Sequence, residues 1–71
     1  MKAKLIALGW VLYYECLTTC KKQYFNHPEK AGYEVRVRTA NKTFSIILNN
    51  RIVSGPHWEY QLEEKLKANG L

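Results

Sequence analysis

Two histidines, two cysteines and a set of spaced cations are the residues of this chain whose types could do chemistry. Metal-free cleavage of RNA needs an acid and a base that titrate near neutrality, a task histidine usually performs. Only His27 and His57 offer that here. His27 precedes a proline in a loop, His57 opens the last predicted helix, and nothing in their spacing brings them together. They are the catalytic candidates, yet the ordinary role of such histidines is a solvated or hydrogen-bonded structural one. The expectation is a domain without catalytic activity.

Cys16, Cys20, His27 and His57 follow the pattern C-x3-C-x6-H-x29-H, which matches no common structural zinc site. No Gly-rich phosphate loop, serine-centred elbow or paired carboxylates stand out, so neither metal nor cofactor is expected. Along a strand Cys16 and Cys20 would sit about 13 Å apart, too far to bridge, although a tight turn would bring them closer. Two cysteines are too few for a disulfide-dense secreted scaffold, and reduced thiols in a cytoplasmic protein are expected.

The cations carry more information. The 71 residues have a formal charge of +5, and residues 17–58 hold seven basic and two acidic side chains. Arg36 and Arg38 are two apart, so on a strand they share one face. Lys21, Lys22, Lys42 and Arg51 would extend that patch. Spaced cations of this kind suit phosphates, each displacing roughly one condensed counterion. Tyr13, Tyr24 or Tyr33 could stack on bases if exposed. No RRM, KH, zinc-finger or helix-turn-helix signature accompanies them.

The elements that must position these residues are short. KAKLIAL, residues 2–8, has good helix formers and a stop at Gly9, two helical turns at best, and could instead be the start of a strand. Residues 10–17, rich in aromatic and β-branched types, read as a strand, and residues 20–26 as a second. Asn26 to Gly32 is a Pro/Gly loop. YEVRVRT, residues 33–39, alternates cleanly, with Tyr33, Val35 and Val37 opposite Glu34, Arg36 and Arg38. Asn41 is the expected left-handed residue of the next turn. Residues 43–49 are a strand and Asn49-Asn50 a turn, after which 51–53 could add a short last strand. A closing helix is predicted from Pro56, capped by Ser54 or Gly55, with Trp58, Leu62 and Leu66 as its buried stripe.

The sum is a single α+β domain over residues 1–71: an antiparallel sheet of three to four strands, with a short N-terminal helix and a C-terminal helix packed on one face. A chain this short buries only about 60% of its unfolded surface. Met1 to Tyr14 resembles a short signal peptide. Glu15, the tyrosines and Thr19 (where a lipoprotein box wants a small residue) count against removal. No apolar run reaches the 18 residues of a membrane span, so no membrane partner is expected.

Several short motifs add a resemblance. Gly9-Trp10 ends the first helix, and Phe25-Asn26-His27-Pro28 ends the second strand. Gly32 and the strand Val35-Arg36-Val37 follow, and Leu66-Lys67-Ala68-Asn69-Gly70-Leu71 closes the chain. In these the sequence resembles the HicA (YcfA-like) toxin family, whose helix-β-β-β-helix fold is akin to double-stranded-RNA-binding domains. That resemblance implies an α+β fold, an RNA-like partner and, in its catalytic form, ribonuclease activity. The family's Gly-Ser-His-His-like run falls on Cys20-Lys21-Lys22-Gln23. Gln23 (or Lys22, if the register slips by one) therefore stands where its active histidine would be, and glutamine is neither acid nor base. The expected function is RNA or DNA binding through Lys21, Lys22, Arg36, Arg38, Lys42 and Arg51. The alternatives are a protein-interaction module using a free sheet edge, antitoxin-like or of phage-adaptor type, and a HicA-like ribonuclease.

Overall fold

A computed structural model describes residues 1–71. It contains α1 (Lys2–Ala7), then β1 (Val11–Cys16), β2 (Lys22–Asn26), β3 (Tyr33–Arg38), β4 (Thr43–Leu48) and β5 (Arg51–Trp58). A 3-10 turn over Glu59–Gln61 leads into α2 (Leu62–Ala68). The five strands form one antiparallel sheet in the order β1-β2-β3-β4-β5, so each strand pairs with its neighbours in sequence.

The register sorts the side chains into two faces. On one face run Leu12, Phe25, Val35, Ile46 and Ser54, with Glu15, Gln23, Val37, Phe44 and His57 in the adjacent row. Leu5 of α1 and Leu62 and Leu66 of α2 pack onto this face, and with Trp10 they complete the core. Both helices cover the same side of the sheet. The opposite side carries no helix. No helix is long and apolar enough to cross a membrane.

The expectation of three to four strands is corrected to five. Residues 51–58, read as a short strand followed by a helix start, are one eight-residue strand. Pro56 lies inside β5, where it was predicted to open the helix. It is tolerated there because β5 is an edge, where a missing N–H leaves no ladder bond unmade. The pairing with β4 shifts between Phe44 and Ile46 and again between Ile46 and Ile47, which accommodates the extra residues. Gly55 sits at one irregularity with φ of 118°, and a Cβ there would lie 3.0 Å from the Phe44 carbonyl oxygen and the Ser45 Cα. Only glycine fits without displacing the β4 backbone.

The closing helix consequently starts at Leu62. Leu62 and Leu66 keep their predicted burial, whereas Trp58 leaves the stripe and is 57% exposed. Between β4 and β5, Asn49 and Asn50 have φ of 50° and 67°. Two consecutive left-handed residues in a two-residue loop make the turn that matches strand twist, which explains the paired asparagines. In the β3–β4 turn the left-handed residue is Lys42, at φ of 55°, and not the expected Asn41.

Candidate nucleic-acid interface

The side of the sheet that no helix covers is built in three rows across the strands. The first runs Cys16, Lys22, Arg38, Thr43, Trp58; the second Tyr14, Tyr24, Arg36, Ser45; the third Val11, Asn26, Glu34, Ile47, Ile52. Cations and aromatic rings therefore share a single surface. Lys22 and Arg38 are directly opposite each other on β2 and β3. Their Cβ atoms are then about 5 Å apart, close enough for like charges to repel. Neither forms a salt bridge.

Arg36 is held differently. Its guanidinium carbon lies 4.8 Å from the centre of the Tyr24 ring. Its Nε donates to Glu34 Oε1 at 3.2 Å, and its Nη2 donates to Asn50 Oδ1 at 3.3 Å. Glu34 also accepts from the Tyr13 hydroxyl. Burial and this carboxylate together raise Tyr13 to a pKa of about 12. The register slips between Leu12 and Tyr14, and this bulge lets both Tyr13 and Tyr14 reach Tyr24. The ring centres are 6.0 Å apart for Tyr13–Tyr24 and 4.9 Å for Tyr14–Tyr24, within the range of favourable offset contacts.

A shallow depression of about 160 Å³ opens between these groups, lined by Lys22, Tyr24, Arg36, Arg38, Ser45 and Ile52 among others. Ile47 also lines it and is 2% exposed, while its β5 partner Ile52 is 62% exposed. The surface offers an apolar base, three aromatic rings in contact and cations at its rim.

The six predicted cationic positions separate into groups. Lys22, Arg36 and Arg38 share the uncovered face. Lys21 lies in the β1–β2 turn at the same end as Lys22 and Arg38, where its carbonyl accepts from the Thr39 N–H at 2.9 Å. Lys42 is at this end too, but it sits beside Glu59, whose carboxyl is held below its ordinary range by the N-terminal ammonium and further by Lys42. Arg51 does not join the group. It pairs with Leu48, at the opposite end of the sheet and in register with the helix-covered side. Of the predicted stacking residues, Tyr33 packs against the core, leaving Tyr13 and Tyr24.

Tyr14 and Trp58 were not predicted as part of this surface. Strict alternation would have sent Tyr13 and Tyr14 to opposite faces, and only a bulge unites them. Trp58 was assigned to a helix. Only its pairing with Thr43 on β4 places it on this face.

The histidines are placed apart. His27 Nδ1 accepts from the N–H groups of Glu29 at 3.0 Å and Lys30 at 2.9 Å, so its proton is on Nε2. Its ring meets Trp10 edge-on with centres 4.8 Å apart. His57 packs on Phe44 near the other end of the sheet, and its Nε2 is 2.6 Å from the Ser54 hydroxyl. Gln23 is buried facing the helices, where its amide donates to Glu15 at 2.6 Å. No group of three or more potential metal ligands occurs.

At the end of β1, Cys16 Sγ accepts from the Cys20 N–H at 3.2 Å and lies 3.4 Å from the Thr19 hydroxyl oxygen. The Thr19 hydroxyl and the Cys20 backbone lower the Cys16 thiol to a pKa of about 5. The Tyr14 hydroxyl donates to Cys20 Sγ at 3.7 Å.

No family model, curated protein or solved structure matches this chain.

Proposed function

We propose that the uncovered sheet face binds single-stranded nucleic acid, with RNA the preferred partner. The observation that carries this reading is the coincidence, on one exposed surface, of contacting aromatic rings with cations that lack acidic partners. Stacking a base on an aromatic side chain contributes about 1–3 kcal/mol and tolerates any sequence. Tyr14, Tyr24 and Trp58 supply such faces. Lys22 and Arg38 would neutralise phosphates, with Lys21 extending the track at the β1–β2 end. Arg36 is the positioning group: tied to Glu34 and Asn50, it holds the Tyr24 ring from the β3 side. A duplex presents its bases stacked and paired, so a flat aromatic platform suits an open strand better.

The two histidines belong to different ends of the sheet, and both ring environments have structural explanations. That supports a binding role over a HicA-like nuclease. A protein partner adding a strand at a sheet edge is a weaker fit, because β1 is interrupted at Tyr13 and β5 by Pro56 and two register shifts.

An amide-shift NMR titration with a single-stranded RNA of about 10 nucleotides tests the reading. Shifts should cluster at residues 13–14, 22–24, 36–38 and 58, and fade as salt rises. An RNA duplex of the same composition should shift them less. Absence of shifts at low salt removes nucleic acid as the partner.

A further inference from the structure

The β1–β2 turn, at the margin of the uncovered face, brings the two cysteines of the chain together. Cys16 is the last residue of β1, and its pairing partner across the turn is Lys22. The loop between them is only 17–21, so the chain reverses within five residues and folds Cys20 back over Cys16. Strand geometry alone would have separated these thiols. Instead the Cys20 N–H points at Cys16 Sγ from 3.2 Å. The Thr19 hydroxyl oxygen is within reach of both sulfurs, 3.4 Å from Cys16 Sγ and 3.8 Å from Cys20 Sγ. Cys20 is exposed and Cys16 half-exposed, and both are free.

We propose that Cys16 and Cys20 form a thiol–disulfide exchange site, with Cys16 the attacking sulfur and Cys20 the resolving one, that reacts with small-molecule disulfides. The geometry supplies what each role requires. A thiolate is stabilised by donors aimed at it; the Cys20 N–H donates to Cys16 Sγ, and the Thr19 hydroxyl is within reach of it. The resolving thiol must be close in sequence and space, with access to solvent, and Cys20 meets both conditions. Lys21 and Lys22 flank the pair and attract an anionic disulfide. The low pKa of the Cys16 thiol, about 5, agrees with this assignment by keeping it ionised at neutral pH.

The Cys16 thiolate attacks one sulfur of the incoming disulfide; that S–S bond breaks, a mixed disulfide forms on Cys16, and one thiolate leaves. Cys20 loses its proton to solvent and attacks the Cys16 sulfur. The mixed disulfide breaks, the Cys16–Cys20 bond closes, and the second thiolate leaves. The protein gives up two electrons and the small disulfide is reduced to two thiols. The inference does not depend on the nucleic-acid reading.

The test is to treat the reduced, folded chain with oxidised glutathione and follow it by intact mass and peptide mapping. The expected product has lost two hydrogens and carries an internal Cys16–Cys20 bond. Cys20→Ser should stop at a glutathione adduct on Cys16. Alkylation by iodoacetamide at pH 6 gives a second readout that needs no disulfide. Ionisation favours a thiol of pKa about 5 over an ordinary one by roughly 300-fold at that pH, and its lower nucleophilicity offsets roughly 30-fold. Cys16 should therefore react about tenfold faster in the folded chain than in the urea-unfolded chain. Thr19→Val should move the midpoint of that pH profile upward. Stable glutathione adducts on both cysteines, disulfides only between chains, or equal alkylation rates folded and unfolded would each overturn the proposal.

Discussion

If the uncovered face binds a single strand, the salt dependence of affinity should count its free cations, and the structure says which ones to count. Lys22 and Arg38 have no acidic partner, and Lys21 lies beside them in the turn. Arg36 is already compensated by Glu34 at 3.2 Å. Three effective phosphate contacts on a single strand give a slope of log K against log salt of about −2. Raising salt from about 50 to 200 mM should then weaken binding by roughly 20-fold. Arg38→Ala removes one free charge and should flatten the slope to about −1.4. Arg36→Ala should leave the slope nearly unchanged yet still weaken binding at every salt concentration, because Tyr24 loses the group that holds its ring. Fluorescence anisotropy with an end-labelled oligonucleotide across a salt series measures both quantities. Equal flattening by the two substitutions would mean that the Glu34 pair does not persist in the complex. A slope near zero in the native chain would refute phosphate neutralisation altogether.

Other outcomes follow from the packing and the ionisation of particular groups. Phe25 is fully buried in the core, and Phe25→Ala should cost about 3–5 kcal/mol, enough to unfold much of so small a domain, as urea titration would show. Gly55→Ala should destabilise by about 1–3 kcal/mol, since the new Cβ meets β4 backbone at 3.0 Å and φ is positive. Iodide should quench Trp58, 57% exposed, and spare Trp10, 3% exposed, so Trp58→Ala should abolish most of the quenchable fluorescence. In a spectrophotometric titration Tyr13 and Tyr14 should ionise at about 12, above the ordinary value of 10. Because the folded chain holds those protons more tightly than the unfolded one, their contribution to stability is complete below pH 10. It is lost as pH rises from 10 towards 12, and circular dichroism should follow that loss.

What the sequence disclosed depended on whether local pattern or pairing decided the outcome. β3 was readable because Tyr33 to Arg38 alternates strictly, and the Asn49–Asn50 turn because two left-handed residues favour asparagine. Leu62 and Leu66 showed their burial through helical spacing. The second half of β5 was hidden because Ser54, Gly55 and Pro56 make an equally good helix start, and only the ladder with β4 chooses between the two. The same ambiguity concealed Trp58. The cations were identifiable one by one, but their grouping depended on strand register. That register brought Lys22 opposite Arg38 and sent Arg51 to the other end. The proximity of Cys16 and Cys20 turned on a loop whose residues carry no glycine or proline to announce it.

The strand order carries a consequence for how the molecule comes to exist. Every ladder in the sheet joins segments adjacent in the chain, across loops of two to six residues. Closing such loops costs little entropy, and nascent hairpins can form without waiting for distant partners. Assembly should therefore be fast for an all-antiparallel sheet, with each new strand adding to the edge of the last as it leaves the ribosome. Leu62 and Leu66 arrive at the end of this sequence to meet Leu5 from its beginning. The core is sealed only once α2 is made, so a chain stopped short of α2 would have its ladders but an open core.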